Sequence, residues 1–128
     1  MHTAQGAAPS QADLEAARRA EWEHFYAELH QAPVPRTYRD TYASDVTVTD
    51  TIGRWSGVDD WSAHEREAID LGVRAKITGI WAGSDLTILE IDFINPARAA
   101  DHCPPRSTFV HRLADGRSKR LDIHYVSA

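Results

Sequence analysis

The chain has one cysteine, Cys103, and one methionine among its 128 residues. A single cysteine excludes an internal disulfide and leaves no CxxC pair for redox or zinc chemistry. No apolar run approaches the ~18–20 residues that a bilayer-spanning helix needs. Met1–Pro9 (MHTAQGAAP) has neither a basic start nor an apolar stretch, so no signal peptide is expected. These absences predict a cytoplasmic protein with no membrane partner. An excess of positive charge is missing too: 14 Lys and Arg stand against 19 Asp and Glu, a net charge of −5. The basic residues are scattered without a stripe, which argues against a nucleic-acid partner. Metal-ligand spacing is also lacking. None of the seven histidines forms HxH or HExxH, His64 has no second histidine four residues away, and His102-Cys103 stands alone. Three or four converging ligands are required, so neither a metal nor another cofactor is expected.

What remains is ordinary for a folded domain. The apolar content of 42% argues against disorder. A chain of this size buries roughly 65–70% of its unfolded surface and can stand without disulfides. Residues 1–9 are small and polar and are expected to be disordered, ahead of a single α+β domain over 10–128.

Ser10 followed by Asp13 resembles a capping box, and from Gln11 the pattern is helical. Leu14, Trp22, Phe25, Tyr26 and Leu29 share a face that Arg18 and Glu21 interrupt, and Pro33 and Pro35 end the helix. Arg36 to Tyr42 reads as a short second helix. Val46, Val48 and Asp50 alternate with Thr47, Thr49 and Thr51, a β-branched strand. Ser56 with Asp59 announces a third helix, carrying Val58, Trp61, Glu65, Ala68 and Ile69 on one side and stopping at Gly72. Arg74–Ala82 and Leu86–Ile94 flank a turn at Gly83-Ser84. A loop over Asn95–Arg106 holds Pro96, Pro104 and Pro105 and is a candidate lid. Ser107–Ala114 and Arg117–Val126 meet across Asp115-Gly116, the strongest hairpin signal in the chain. The predicted order is α-α-β-α-β-β-β-β, a curved antiparallel sheet wrapped around N-terminal helices to form a cone with a pocket.

Asp50 shares strand parity with Val46 and Val48, so if they face the core its carboxylate does too. A partly desolvated carboxylate suits proton transfer near neutral pH. The competing reading is a turn cap before Gly53. Tyr26, beside Trp22, Phe25 and Leu29, is either a hydrogen-bond donor to a developing oxyanion or a core tyrosine. Regular two-residue pairing at Asp115-Gly116 sets Leu113 opposite Ser118, His111 opposite Arg120 and Phe109 opposite Asp122. If that face is inward, His111, Asp122 and His124 join Asp50 in one cavity; if outward, they are a solvated surface. Burial favours the other face, with Leu121 and Ile123, and a bulge in the last strand would change the answer. Glu90 and Asp92 share a face of their strand. Trp22, Trp55, Trp61 and Trp81, with Tyr42, Phe93 and Phe109, supply more aromatic area than a small core needs, and Trp55 is placed to stack on a planar ligand.

The element order, with YASDVTVTDTIG after the helices and LADGRSKRLDIHY at the end, resembles the nuclear transport factor two-like superfamily over roughly residues 11–126. Within it the chain looks most like the SnoaL-like polyketide cyclases and the ketosteroid isomerases. The isomerases carry a tyrosine on the first helix and a general-base aspartate at the end of the first strand. Tyr26 in HFYAEL and Asp50 in SDVTVTD resemble that pair, whereas the isomerases' protonated aspartic acid aligns with Phe109. Limonene-epoxide hydrolases place an Arg-x-Asp pair where this chain has Glu90-x-Asp92. The resemblance implies a cofactor-independent cyclase or isomerase acting on a small apolar or polycyclic, polyketide- or terpenoid-like substrate. Asp50 would move a proton and Tyr26 would stabilise the oxyanion, with His111, Asp92, Asp122 or His124 as complementary acid. It also implies a homodimer. Epoxide hydrolysis and non-catalytic binding or dimerisation are the alternatives, since one fold hosts many chemistries.

Overall fold

The computed structural model describes residues 10–31, 35–51, 53–94 and 106–125. The N-terminal residues 1–9 and the 95–105 part of the expected lid lie outside the described residues.

Helix α1 (Gln11–Gln31) begins where Ser10 Oγ accepts the Asp13 N–H at 3.1 Å, half of the expected capping box. Its last three turns bury Trp22, Phe25, Tyr26 and Leu29 at helical spacing. The first turns lack an apolar face and are held by polar bonds instead. Gln11 Nε2 donates to the Ala82 carbonyl (2.7 Å) and Arg19 to the Ile77 carbonyl (3.0 Å). Arg18 donates to the Thr87 hydroxyl and, at 3.1 Å, to the Gly83 carbonyl. Helix α2 (Pro35–Thr41) follows, with Tyr38 buried.

Strand β1 (Tyr42–Thr49) starts earlier than its alternation suggests and pairs with a short strand the sequence did not reveal, β2 (Arg54–Ser56). Helix α3 (Val58–Asp70) is not capped by Ser56 or Asp59. Gly57 occupies that position at φ 89°, its N–H bonded to the Val46 carbonyl (2.7 Å), and Asp60 receives the Ser56 N–H at 3.1 Å. The left-handed backbone at Gly57 turns the chain from β2 into the helix, which leaves Ser56 outside capping position.

Strands β3 (Arg74–Ala82), β4 (Leu86–Ile94), β5 (Arg106–Ala114) and β6 (Arg117–Tyr125) complete a curved, open sheet of order β2-β1-β6-β5-β4-β3. The sheet is mixed rather than antiparallel throughout, because β1 joins β6 in parallel while the other four pairings are antiparallel. A parallel pair cannot be closed by a tight turn, and here the whole of β2 to β5 lies in the connection.

The last hairpin turns at Asp115 (φ 53°) and Gly116 (φ 78°), as a type I′ turn demands. Leu113 faces Ser118 as expected, but Arg112 then faces Arg120, so Lys119 is an extra residue. Beyond that bulge the register moves by one, setting His111 opposite Leu121 and Phe109 opposite Ile123. The bulge turns the apolar stripe of β6 to the same side as Phe109 and His111.

The core lies between this inner face and the helices, with Leu29, Val46, Val48, Leu89, Ile91 and Leu121 fully enclosed. Leu121→Ala, next to the bulge, should cost about 2–5 kcal/mol through lost burial and a residual cavity. Chemical denaturation would read this directly; a loss below roughly 1 kcal/mol would mean that the site collapses freely.

Candidate active site

A cavity of about 50 Å³, partly open to solvent, lies between the inner sheet face and the helices. Its wall is mostly aromatic and aliphatic: Trp61, Phe93, Phe109, Ile69, Ile123 and Tyr125 among others. The polar groups in it are few, namely Tyr26, Asp50, His64, Glu65 and the Tyr125 hydroxyl. A void of this size holds one or two waters. It is smaller than the roughly 300 Å³ at which ligand pockets usually begin.

Asp50 reaches the cavity because it follows Val46 and Val48 on the inward side of β1. Its Oδ1 accepts the Gly53 N–H (2.8 Å), and its own N–H donates to the Gly53 carbonyl (3.0 Å). Asp50 therefore ties the turn before Gly53, as the competing reading expected, and its side chain also lines the cavity. Its Oδ2 accepts the Tyr125 hydroxyl at 2.5 Å. Tyr125 arrives there because it shares parity with Leu121 and Ile123 beyond the bulge.

Glu65 is the second acid of the cavity. It stands one turn beyond Trp61 on the buried side of α3, and its Oε1 is sealed from solvent without a hydrogen bond. Burial raises its pKa from 4.5 to about 8, and the nearby Tyr38 hydroxyl only partly opposes that. The Tyr38 hydroxyl biases Glu65 without hydrogen-bond geometry, since it too is unpaired. Burial and the neighbouring Glu65 push the Tyr26 phenol well above its ordinary value, so Tyr26 stays a proton donor. His64 packs against Trp55 with ring centroids 4.2 Å apart and the rings tilted by 32°.

The remaining sequence-derived candidates are spread elsewhere. His111 is buried but does not line the cavity; its Nδ1 bonds Ser118 Oγ (2.8 Å) and its ring stacks on Trp22 at 4.1 Å. Desolvation lowers its pKa from 6.5 to about 3, so it is a neutral core residue. Trp22 and Tyr42 belong to the same core cluster. Asp122 and His124 fall on the outer face, because the bulge gives the inner face to Leu121 and Ile123. There burial opposes ionisation of Asp122, but hydrogen bonds from Thr49 (2.5 Å) and Arg120 (3.1 Å) outweigh it and lower its pKa. Asp92 also faces outward and pairs with Arg106 at 3.0 Å, and Glu90 shares that side. The Glu90-x-Asp92 pair thus lies away from the cavity, which removes the support for epoxide opening. Trp81 is 46% exposed. Of the proposed aromatic contacts, Trp61 and Phe109 line the cavity, and Trp55 packs edge-on against Trp61 at 5.5 Å.

Glu65 and Tyr125 were not singled out from sequence as site residues. A glutamate within the Trp61–Ala68–Ile69 stripe of a helix was the available signal, since burying a charged residue there calls for an explanation.

No protein-family model and no curated protein sequence matches the chain. Solved structures do match. A nuclear transport factor two-like protein from Cytophaga hutchinsonii shares a TM-score of 0.67 at 11% identity, over 84% of this chain and 88% of that one. A protein of the SnoaL-like family from Agrobacterium tumefaciens gives 0.68 at 16% identity, over 88% and 99%. A protein from Catenulispora acidiphila with a ketosteroid isomerase-like fold, solved with trimethylamine, gives 0.62 at 14% identity, over 80% and 83%.

The two buried titratable groups predict opposite pH slopes of stability. Below pH 6.5 the unfolded chain binds a proton at His111 that the folded state refuses down to about pH 3, so stability falls with acid. His30, whose pKa burial also lowers, acts in the same direction. Above pH 4.5 the unfolded chain releases a proton at Glu65 that the folded state keeps to about pH 8, so stability falls with base. Glu65→Gln should therefore gain a few kcal/mol relative to wild type between pH 4.5 and 8. Paired thermal melts across that range check this; a constant difference would mean that Glu65 ionises as easily folded as unfolded.

Proposed function

We propose that this chain, which has the nuclear transport factor two-like fold, is a cofactor-independent acid/base isomerase or cyclase for a small apolar carbonyl compound. The observation that carries this reading is Asp50, a carboxylate anchored by Gly53 and Tyr125 at the edge of an aromatic-walled cavity. Asp50 takes a proton from the carbon beside a carbonyl, and the electron pair of that C–H bond moves onto oxygen as an enolate. The proton then returns to the same carbon or to a conjugated one, so no atom is gained or lost. Tyr26, kept un-ionised, donates to the oxygen as its charge grows. The anchoring bonds hold the base in one orientation, so little reorganisation is needed during the transfer.

The cavity receives the carbonyl end of the substrate, and the remaining polyketide- or terpenoid-like skeleton extends beyond it through the opening. A cytoplasmic homodimer in secondary metabolism belongs to the same reading. A second reading has one observation in its favour: Asp50 is acidic, and no Lys or Arg lines the cavity among the described residues. Aromatic faces with a carboxylate suit a small organic cation, and the Catenulispora protein was solved with trimethylamine. In that case the protein is a binder.

Hydrogen–deuterium exchange at the α-carbon of small cyclic ketones, followed by NMR in heavy water, separates the two. Wild type should exceed buffer, and Asp50→Asn should lose at least about a hundredfold of that rate. An unchanged rate in Asp50→Asn would sink the enzyme reading. A wild-type rate equal to buffer, together with saturable trimethylamine binding, would favour the binder.

A further inference from the structure

Five polar atoms sit together without hydrogen bonds on the helical side of the core: the hydroxyls of Tyr26, Tyr38 and Tyr42, Trp61 Nε1 and Glu65 Oε1. They come from α1, α2, the first residue of β1, and α3. A buried polar atom left unpaired costs about 1–3 kcal/mol, so five in one neighbourhood is more than packing explains. An indole N–H can only donate, whereas each phenol and a carboxylic acid has both a proton to donate and an oxygen that accepts. What these atoms lack is therefore a partner in bonding position, and each of them has a proton to offer one. Tyr38 and Tyr42 do not line the cavity, but Tyr26, Trp61 and Glu65 do, alongside Asp50. The Tyr26 hydroxyl and the Glu65 carboxyl are thus unpaired, buried donors on the cavity wall, placed to meet an acceptor atom that enters it.

We infer that Glu65 and Tyr26 form a donor pair that receives an oxygen atom of the ligand, with Glu65 as its previously unassigned member. The ligand is then a molecule that presents a carbonyl or enol oxygen to α1 and α3 and its neighbouring carbon to Asp50. The chemical step rests on the acid/base reading above; the oxygen site does not. Burial keeps Glu65 in its proton-bearing form around neutral pH, which makes it a donor there, whereas an ionised glutamate would repel an enolate. Phe109, which also lines the cavity, has no proton to give, so on this inference the second donor reaches the oxygen from a helix and not from the sheet.

The probe is 4-nitrophenol, whose single ring and acidic oxygen stand in for an enolate. It is titrated into Asp50→Asn protein, where the neighbouring negative charge is gone. Binding is expected, and adding Glu65→Leu or Tyr26→Phe should each weaken it by about tenfold or more. Glu65→Gln keeps an N–H donor and should retain part of the affinity, which a merely structural role would not predict. Thermal melts establish that each variant is folded, and Tyr26→Phe covers the case in which Glu65→Leu is not. Unchanged affinity in folded Glu65→Leu, or no binding by the Asp50→Asn parent up to the probe's solubility, would overturn the donor pair. A Glu65-dependent affinity beside an exchange rate indifferent to Asp50→Asn would leave the pair standing and remove the base.

Discussion

The extra residue at Lys119 decides which side chains of the last two strands meet the helices, because the faces of a strand alternate residue by residue. Each of those strands has a stripe that can be buried and a stripe that cannot. Regular pairing would set Phe109 and His111 against Arg120 and Asp122. The bulge shifts β6 by one, so that Leu121, Ile123 and Tyr125 share the inner side with Phe109 and His111. Without that shift Tyr125 would not reach Asp50, and Ile123 would leave the cavity wall. The β6 part of the wall and the anchor of the candidate base thus follow from one local irregularity that lets three side chains turn inward.

The second constraint is the density of polar atoms inside an aromatic core. Glu65, three phenols and an indole are enclosed with their hydrogen-bonding capacity unused, and His111 is enclosed with one nitrogen unpaired. Such groups weaken a fold, and natural cores hold few of them. Here the fold tolerates them because the surroundings are well packed: Phe25 meets Tyr26, Tyr38 and Tyr42 at centroid distances of 5.1, 5.5 and 5.8 Å. Tyr26, Trp61 and Glu65 line the cavity, whereas His111 is satisfied at Nδ1 by Ser118 and belongs to the core proper.

Much of this was legible along the chain. Helix α1, the two long hairpins, the turn at Asp115-Gly116 and the stop at Gly72 follow from local chemistry: helical spacing, β-branched runs and residues that accept positive φ. Parity alone placed Asp50 on the inner side of β1. Strand β2 escaped because three residues carry no periodicity, and the cap of α3 was misplaced because Gly57, one residue past Ser56, controls the backbone there. The spread of His111, Asp92, Asp122 and His124 over different environments was beyond reach, since a one-residue slip between strands leaves the sequence of each strand unchanged.

The sequence by itself determined the α+β class, the order of every element but the short strand β2, and the direction of Asp50, because these depend on neighbours within a few positions. Only the tertiary structure decided that β1 lies parallel to β6, that Tyr125 anchors Asp50, and that Glu65 is an un-ionised acid in the same cavity. Those outcomes depend on distant segments competing for one buried face, and on the loss of water around a carboxyl group. Neither quantity is carried by any single stretch of chain.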